Sequence, residues 1–202
     1  NEHPLNLMRA AKGLRKANSL WFWSPGKKPS LPSFTERTGL SGSVVCAVDL
    51  IKGIGICAGM HVPYVEGATG TLDTNYRGKA DTALEELKTH DLVYIHVEAP
   101  DECGHQGNTA DKIKAIENID EYILRPVMKE LERRGEHFRL LLLPDHPTPI
   151  ALRTHVREPI PFVIYDSEDH PQSGVPSYFD HSGDNGVFVA DGDKLIDMLI
   201  RK

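Results

Sequence analysis

Cysteine is scarce in this sequence. Cys46, Cys57 and Cys103 are odd in number and lack C-x-x-C spacing, which suits a reducing cytoplasm better than a disulfide framework. Blocks of Lys or Arg are missing, and the net charge is -6; a nucleic-acid partner is therefore not expected. Long apolar runs are missing as well. The longest, from Ser43 to Met60, is broken by Asp49 and Lys52, so no membrane span and no membrane partner are expected. No secretory-signal pattern opens the chain, which begins at Asn1 rather than Met; a processed chain or a piece of a longer protein is expected. Internal repeats and low-complexity segments are absent. So is the G-x-x-x-x-G-K-[ST] phosphate loop, which leaves Gly53, Gly55 and Gly59 as close-packing or turn positions.

What is present describes an ordinary globular chain. With 202 residues, 40% of them hydrophobic and 26% charged, it is long enough for one sizeable core. The spacing predicts some helix around Leu5 to Leu14. Trp21-Phe22-Trp23 then leads into a proline-rich loop that carries Lys27 and Lys28. Val44–Val48 reads as a buried strand. A helix capped by Asp73 or Thr74 should run to Leu87, with Ala80, Ala83, Leu84 and Leu87 as its apolar stripe. Leu92–Val97 is the next strand. A long helix from about Thr109 to Arg134, capped by Asn108 or Thr109, should be kinked at Pro126 and end at Gly135. Leu140–Leu143 and residues 160–165 read as two further strands, and Gly186–Ala190 as a short one. Asp193 should cap a last helix. Alternating strands and helices predict an α/β fold: a mostly parallel sheet flanked by helices on both faces.

Ten histidines are many for this length. In open α/β sheets, ligands gather at the carboxyl ends of strands. Asp101 and His105 follow the strand that ends at Val97, and Asp145-His146 follow the leucine strand. His155 comes nine residues after His146. Asp101 and His105 are four apart, so on a helical turn or compact loop they face one way, with Gly104 permitting a tight bend. Asp145 and His146 are adjacent, so in an extended segment they should diverge, which suits two ions better than one. Aspartate with neutral histidine favours zinc, manganese or related ions over calcium. Two such ions are the usual device for in-line phosphoryl transfer. His96 reads as a satisfied core residue, His61 and His90 as surface residues, and Cys103 as a further soft donor.

Three segments resemble those of the cofactor-independent phosphoglycerate mutases of the alkaline phosphatase superfamily, in their archaeal-type branch. They are Pro100-Asp101-Glu102-Cys103-Gly104-His105, Pro144-Asp145-His146, and Thr154-His155 running into Pro159-Ile160-Pro161-Phe162. The resemblance covers the whole chain and places Asn1 about halfway along such an enzyme. It implies an incomplete alkaline-phosphatase-like fold, with residues 1–35 a linker or the end of an inserted domain and 36–202 the metal-binding core. Asp101, His105 and His155 would hold one divalent ion. Asp145 and His146 would hold part of the shell of a second. An aspartate and a nucleophilic serine outside this chain would complete that shell. Manganese or zinc is expected, with magnesium or cobalt as alternatives, and no 2,3-bisphosphoglycerate. The implied reaction interconverts 3-phosphoglycerate and 2-phosphoglycerate in glycolysis and gluconeogenesis through a phosphoserine. Lys52 is the expected substrate cation. Arg153 and Arg157 are further candidates, and a homo-oligomer is compatible. A phosphatase or phosphonate hydrolase with the same ligands is the competing expectation. This chain by itself, lacking the nucleophile, is expected to be a metal-binding module without turnover.

Overall fold

The computed structural model describes all residues except 1, 21, 23–25, 170–174 and 201–202. Trp21 and Trp23 of the aromatic segment, and His170, thus lie outside the described residues. Two units are compact in themselves, residues 1–30 and residues 31–202. The first contains helix α1 (Pro4–Ala11), with Pro4 in its first turn and His3 accepting from Leu5 N–H. Asn6, buried, donates to Ala17 O and accepts from Ala17 N–H, both at 2.8 Å. That pair of bonds folds the following segment back on the helix.

The second unit begins with α2 (Phe34–Thr38), started by a reciprocal capping box between Ser33 and Glu36. Strand β1 (Gly42–Val45) is buried at every position. The glycine-containing stretch after it is a helix, α3 (Asp49–Cys57), not a set of turns. Gly55 is there for close packing: a Cβ on it would sit 3.0 Å from Val44. Helix α4 (Tyr76–Glu86) starts one or two residues later than its sequence predicts. Asn75, rather than Asp73 or Thr74, accepts from Gly78 N–H. Strand β2 (Leu92–Ile95) lies parallel to β1, with Gly42 opposite Leu92 and Val45 opposite Ile95. Val44 faces α3 whereas Val45 packs with Ala83 of α4. Successive strand residues point to opposite faces, so helices cover this pair on both sides.

Helix α5 (Ala99–Gln106) leaves the end of β2 directly. Asn108 caps α6 (Thr109–Ile119), which continues through a π turn (Asp120–Leu124) into α7 (Arg125–Arg134). The single long helix predicted here is interrupted where Pro126 requires it. Proline cannot donate to the carbonyl four residues back, and its ring crowds that position; the wider π turn makes the room. Tyr76, Ala80, Ala99, Ala115, Ile123, Val127 and Leu131 form the main core between α4, α5 and this broken helix.

Strand β3 (Arg139–Leu142) pairs with β4 (Val163–Asp166) antiparallel, Leu142 opposite Val163. The chain is therefore α/β with a small parallel sheet, and the single, mostly parallel sheet expected from the pattern is not what forms. Parallel neighbours need a crossover connection. Residues 143–162 contain turns but no helix, so the chain simply returns beside β3. The strand predicted at Gly186–Ala190 does not form; Val187 and Phe188 are exposed there. Helix α8 (Lys194–Ile200) closes the chain and buries Leu195. Among the described residues, no helix is long and apolar enough to cross a membrane.

Candidate metal centre

The residues that matter are delivered by three junctions: β1 to α3, β2 to α5, and the return from β3 to β4. Pro100 in the first turn of α5 suits a helix start, since its missing N–H would be unpaired there anyway. One turn then sets Asp101 and His105 on the same side, with His105 Nε2 3.2 Å from Asp101 Oδ2. The return segment lays His155 across them. Its Nε2 is 3.0 Å from His105 Nε2 and 3.3 Å from Asp101 Oδ1. One donor atom each of Asp101, His105 and His155 lies within 4.8 Å of the others, a geometry that can hold one ion.

Two backbone features set this up. His105 Nδ1 is 2.9 Å from the carbonyl oxygen of Arg153. A carbonyl only accepts, so Nδ1 carries the proton and the Nε2 lone pair of the neutral ring faces Asp101 and His155. Arg153 sits at φ 56°, outside the usual region for its residue type, in the turn that presents this carbonyl. The second feature is Thr148, nearly fully buried, whose hydroxyl donates to Asp101 Oδ1 and whose carbonyl accepts from Lys112 Nζ at 2.7 Å.

Gly104 does a different job from the bend expected of it. It lies inside α5, and a Cβ there would stand 2.7 Å from the Thr148 carbonyl oxygen. The glycine lets the return segment dock on the helix. Gly104→Ala is expected to cost about 1–3 kcal/mol by overpacking and to loosen the hold of the centre on metal. Urea denaturation and metal titration of the variant check this; an unchanged midpoint and affinity would remove Gly104 from the account.

Asp145 and His146 do not diverge as expected. They occupy a bend rather than an extended segment, and His146 Nε2 stands 3.4 Å from Asp145 Oδ2. His146 Nδ1 is 3.9 Å from Asp101 Oδ1, and its ring lies on that of His155 with centroids 3.7 Å apart. All five residues named from the sequence thus gather in one place. Cys103 points into the core instead, buried at 3% exposure, where burial pushes its thiol up; it takes no part. Lys52 is paired with Asp49 at 3.0 Å on α3 and does not line the adjoining recess, although Leu50 and Ile51 do.

That recess, about 160 Å³, is walled by Val48, Leu50 and Ile51 on one side and by His96, Glu98, Asp101, Asp145, His146 and His155 on the other. His96 is not a satisfied core residue. It lines the recess, its Nδ1 has no hydrogen-bond partner among the described residues, and its Nε2 is 3.4 Å from Glu98 Oε2. Burial pushes the His96 imidazole down. Burial first, then the charges of Asp101 and Asp145, push the Glu98 carboxyl up. Glu98, Thr148 and the Arg153 carbonyl escape a reading of the sequence. Position just beyond a strand end could have flagged Glu98; for the other two, no local signal exists.

With this geometry in view, the comparisons with known proteins are informative. The model of the metalloenzyme superfamily matches residues 5–196. A Geobacter sulfurreducens protein named probable 2,3-bisphosphoglycerate-independent phosphoglycerate mutase is 49% identical over 201 residues, 99% of this chain and 50% of its own length. A Methanosarcina acetivorans protein named 2,3-bisphosphoglycerate-independent phosphoglycerate mutase is 50% identical over 98% of this chain and 50% of its own. Among solved structures, the cofactor-independent phosphoglycerate mutase of Thermoplasma acidophilum is similar with a TM-score of 0.61 and 27% identity, over 98% of this chain and 47% of that one. The chain spans about half the length of the curated relatives it matches.

Proposed function

The chain belongs to the metalloenzyme superfamily, and we propose that it is the metal-binding half of a 2,3-bisphosphoglycerate-independent phosphoglycerate mutase, an isomerase of alkaline-phosphatase-like fold. The observation that carries the proposal is the convergence of Asp101, His105 and His155 at one point with Asp145-His146 beside them. Likeness to mutases over nearly the whole chain and half their length supports it. The donor set fits a borderline divalent ion. Two imidazoles and a carboxylate suit manganese or zinc, and the proton on His105 Nδ1 leaves the opposite nitrogen available. Asp101, His105 and His155 would hold one ion, and Asp145 and His146 would contribute to a second, whose remaining ligands come from the rest of the full-length protein. Such ions supply nucleophile activation and charge neutralisation during phosphoryl transfer.

The chain's own residues would do the following. Thr148 fixes the Asp101 carboxylate, and the Arg153 carbonyl fixes His105. Val48, Leu50 and Ile51 keep one wall of the recess apolar. Glu98 Oε2 and His96 Nε2 can hold a proton between them. Lys52 is the proposed substrate cation. Its Asp49 partner is 96% exposed, so their pairing is worth about 0–1 kcal/mol and yields readily to a phosphoryl group. The substrate would be a small phosphoglycerate and the compartment the cytoplasm.

The test uses the full-length protein with 3-phosphoglycerate, followed by phosphorus NMR. Formation of 2-phosphoglycerate without added 2,3-bisphosphoglycerate and without free phosphate is expected. Release of free phosphate with no 2-phosphoglycerate would identify a phosphatase of the same superfamily instead. The 202-residue chain alone is expected to bind metal but to turn over nothing; turnover by it would place a nucleophile within these residues.

A further inference from the structure

A second cluster of ligand-type side chains lies at the opposite end of the β1–β2 pair. His61 forms an isolated parallel bridge to Ser43 on the free side of β1, held by Val44 N–H to His61 O at 2.8 Å and His61 N–H to Gly42 O at 3.0 Å. Glu86 is the last residue of α4, and His90 ends the turn that leads into β2. The two imidazole rings are nearly parallel, 2° apart in plane and 5.5 Å between centroids. The Glu86 carboxylate reaches both: Oε2 is 2.6 Å from His61 Nδ1 and 3.4 Å from His90 Nδ1. One donor atom of each residue lies within 4.8 Å of the others.

We propose that His61, Glu86 and His90 form a second, separate site for a divalent ion of the zinc class, with its fourth position open to water. Three features support this. The donor set, two imidazoles and one carboxylate, is one that zinc and cobalt accept with water as fourth ligand. The spacing is within reach of a tetrahedral shell. Donors about 2.0–2.1 Å from a common ion are about 3.3 Å apart, so the 2.6 Å hydrogen bond between Glu86 and His61 must open by about 0.7 Å on metal entry, and His90, whose Nδ1 is 3.2 Å from the Glu86 carbonyl oxygen, must release that contact or offer its Nε2. Preorganisation is the third feature. Glu86 is 13% exposed and His90 21% at the side chain, with His90 N–H bonded to the Glu86 carbonyl at 2.9 Å, while His61, 55% exposed at its side chain, is held through its backbone bridge to β1. Behind Glu86, the fully buried Ser43 hydroxyl has no closed hydrogen bond among the described residues and is placed to orient the carboxylate.

This site is distinct from the centre at Asp101. His90 precedes β2 whereas Asp101 follows it, and four residues of strand separate the two ends by about 13 Å. Its ion would staple two segments distant in sequence: the edge at His61 and the turn that runs from Glu86 at the end of α4 to His90 before β2. It touches none of the recess residues, so its role is structural.

The experiment is a zinc titration of the chelator-stripped chain, with cobalt as a spectroscopic probe. In the background of His105→Ala with His155→Ala, one equivalent of zinc is expected to bind still, and cobalt is expected to give tetrahedral visible bands. Adding His61→Ala and His90→Ala is expected to remove that equivalent. Glu86→Gln, which keeps volume and shape, is expected to weaken it at least tenfold, and it decides the matter if the histidine variant does not fold by circular dichroism. Zinc binding unchanged in a folded His61→Ala, His90→Ala chain, or unchanged in Glu86→Gln, would overturn the proposal.

Discussion

Replacing His105 and His155 together by alanine is expected to weaken the hold of the Asp101 centre on its ion at least about 100-fold and to abolish turnover in the full-length protein. The reason is arithmetic of ligands: two of three donors disappear, and Asp101 alone leaves a site no better than any surface carboxylate. The fold should survive. Both side chains are substantially exposed, at 35% and 50%, and the main core lies elsewhere, among Tyr76, Ala80, Ile123 and Leu131; such changes usually stay within about 0.5 kcal/mol. Metal content by mass spectrometry and thermal unfolding of the apo chain separate the two effects. Asp145→Asn, by contrast, should leave the ion of this centre in place, because Asp145 is 58% exposed and faces His146 rather than the triad. Unchanged metal content in the double variant would show that the ion, if bound, sits elsewhere.

The second large effect concerns a buried lysine. Lys79 on α4 is fully buried, and its ammonium donates to the carbonyl of His96 at 2.9 Å. Burial lowers its pKa from 10.5 to about 8, partly opposed by Cys46 and Glu98. In the unfolded chain the amine keeps its proton up to 10.5. Between pH 8 and 10.5 the unfolded state therefore binds more protons than the native one, and stability from this residue rises with pH. Below pH 8 the penalty is constant at about 3 kcal/mol. Lys79→Met should remove both penalty and slope, while leaving the His96 carbonyl unpaired at a cost of about 1–3 kcal/mol. Denaturant unfolding of both proteins across this pH window is the measurement. The expected signature is a wild-type gain of about 3 kcal/mol that the variant lacks; parallel curves would mean that Lys79 is neutral or charged in both states alike. The consequence reaches the recess, since the carbonyl that Lys79 holds belongs to one of its lining residues.

Much of this was legible in the sequence. The apolar stripe of α4, the cap at Asn108, the break at Pro126 and the stop at Gly135 are local matters, decided by side-chain period and by what proline and asparagine can donate or accept. The apolar strands β1 to β3 were legible for the same reason, though β1 starts two residues and ends three residues before its apolar run does, β2 ends two residues early, and β3 is shifted by one. Helix α3 was missed because two glycines lower helix propensity, whereas tertiary packing of Gly55 on Val44 rewards it. The antiparallel return of β4 was missed because strand propensity carries no direction.

The sequence by itself determined the donor types and their order: Asp101 and His105 one helical turn apart, the Asp145-His146 pair after a leucine strand, and His155 beyond. Spacing along a chain can place two groups on one face but cannot bring together groups fifty residues apart. That was decided by the tertiary structure, through the Gly104 contact with Thr148 and the Arg153 carbonyl on His105, which bring the return segment onto α5. The same applies to His61, unremarkable as a letter. It becomes a neighbour of Glu86 and His90, themselves only four residues apart, through its bridge to Ser43 on β1, which lies beside β2.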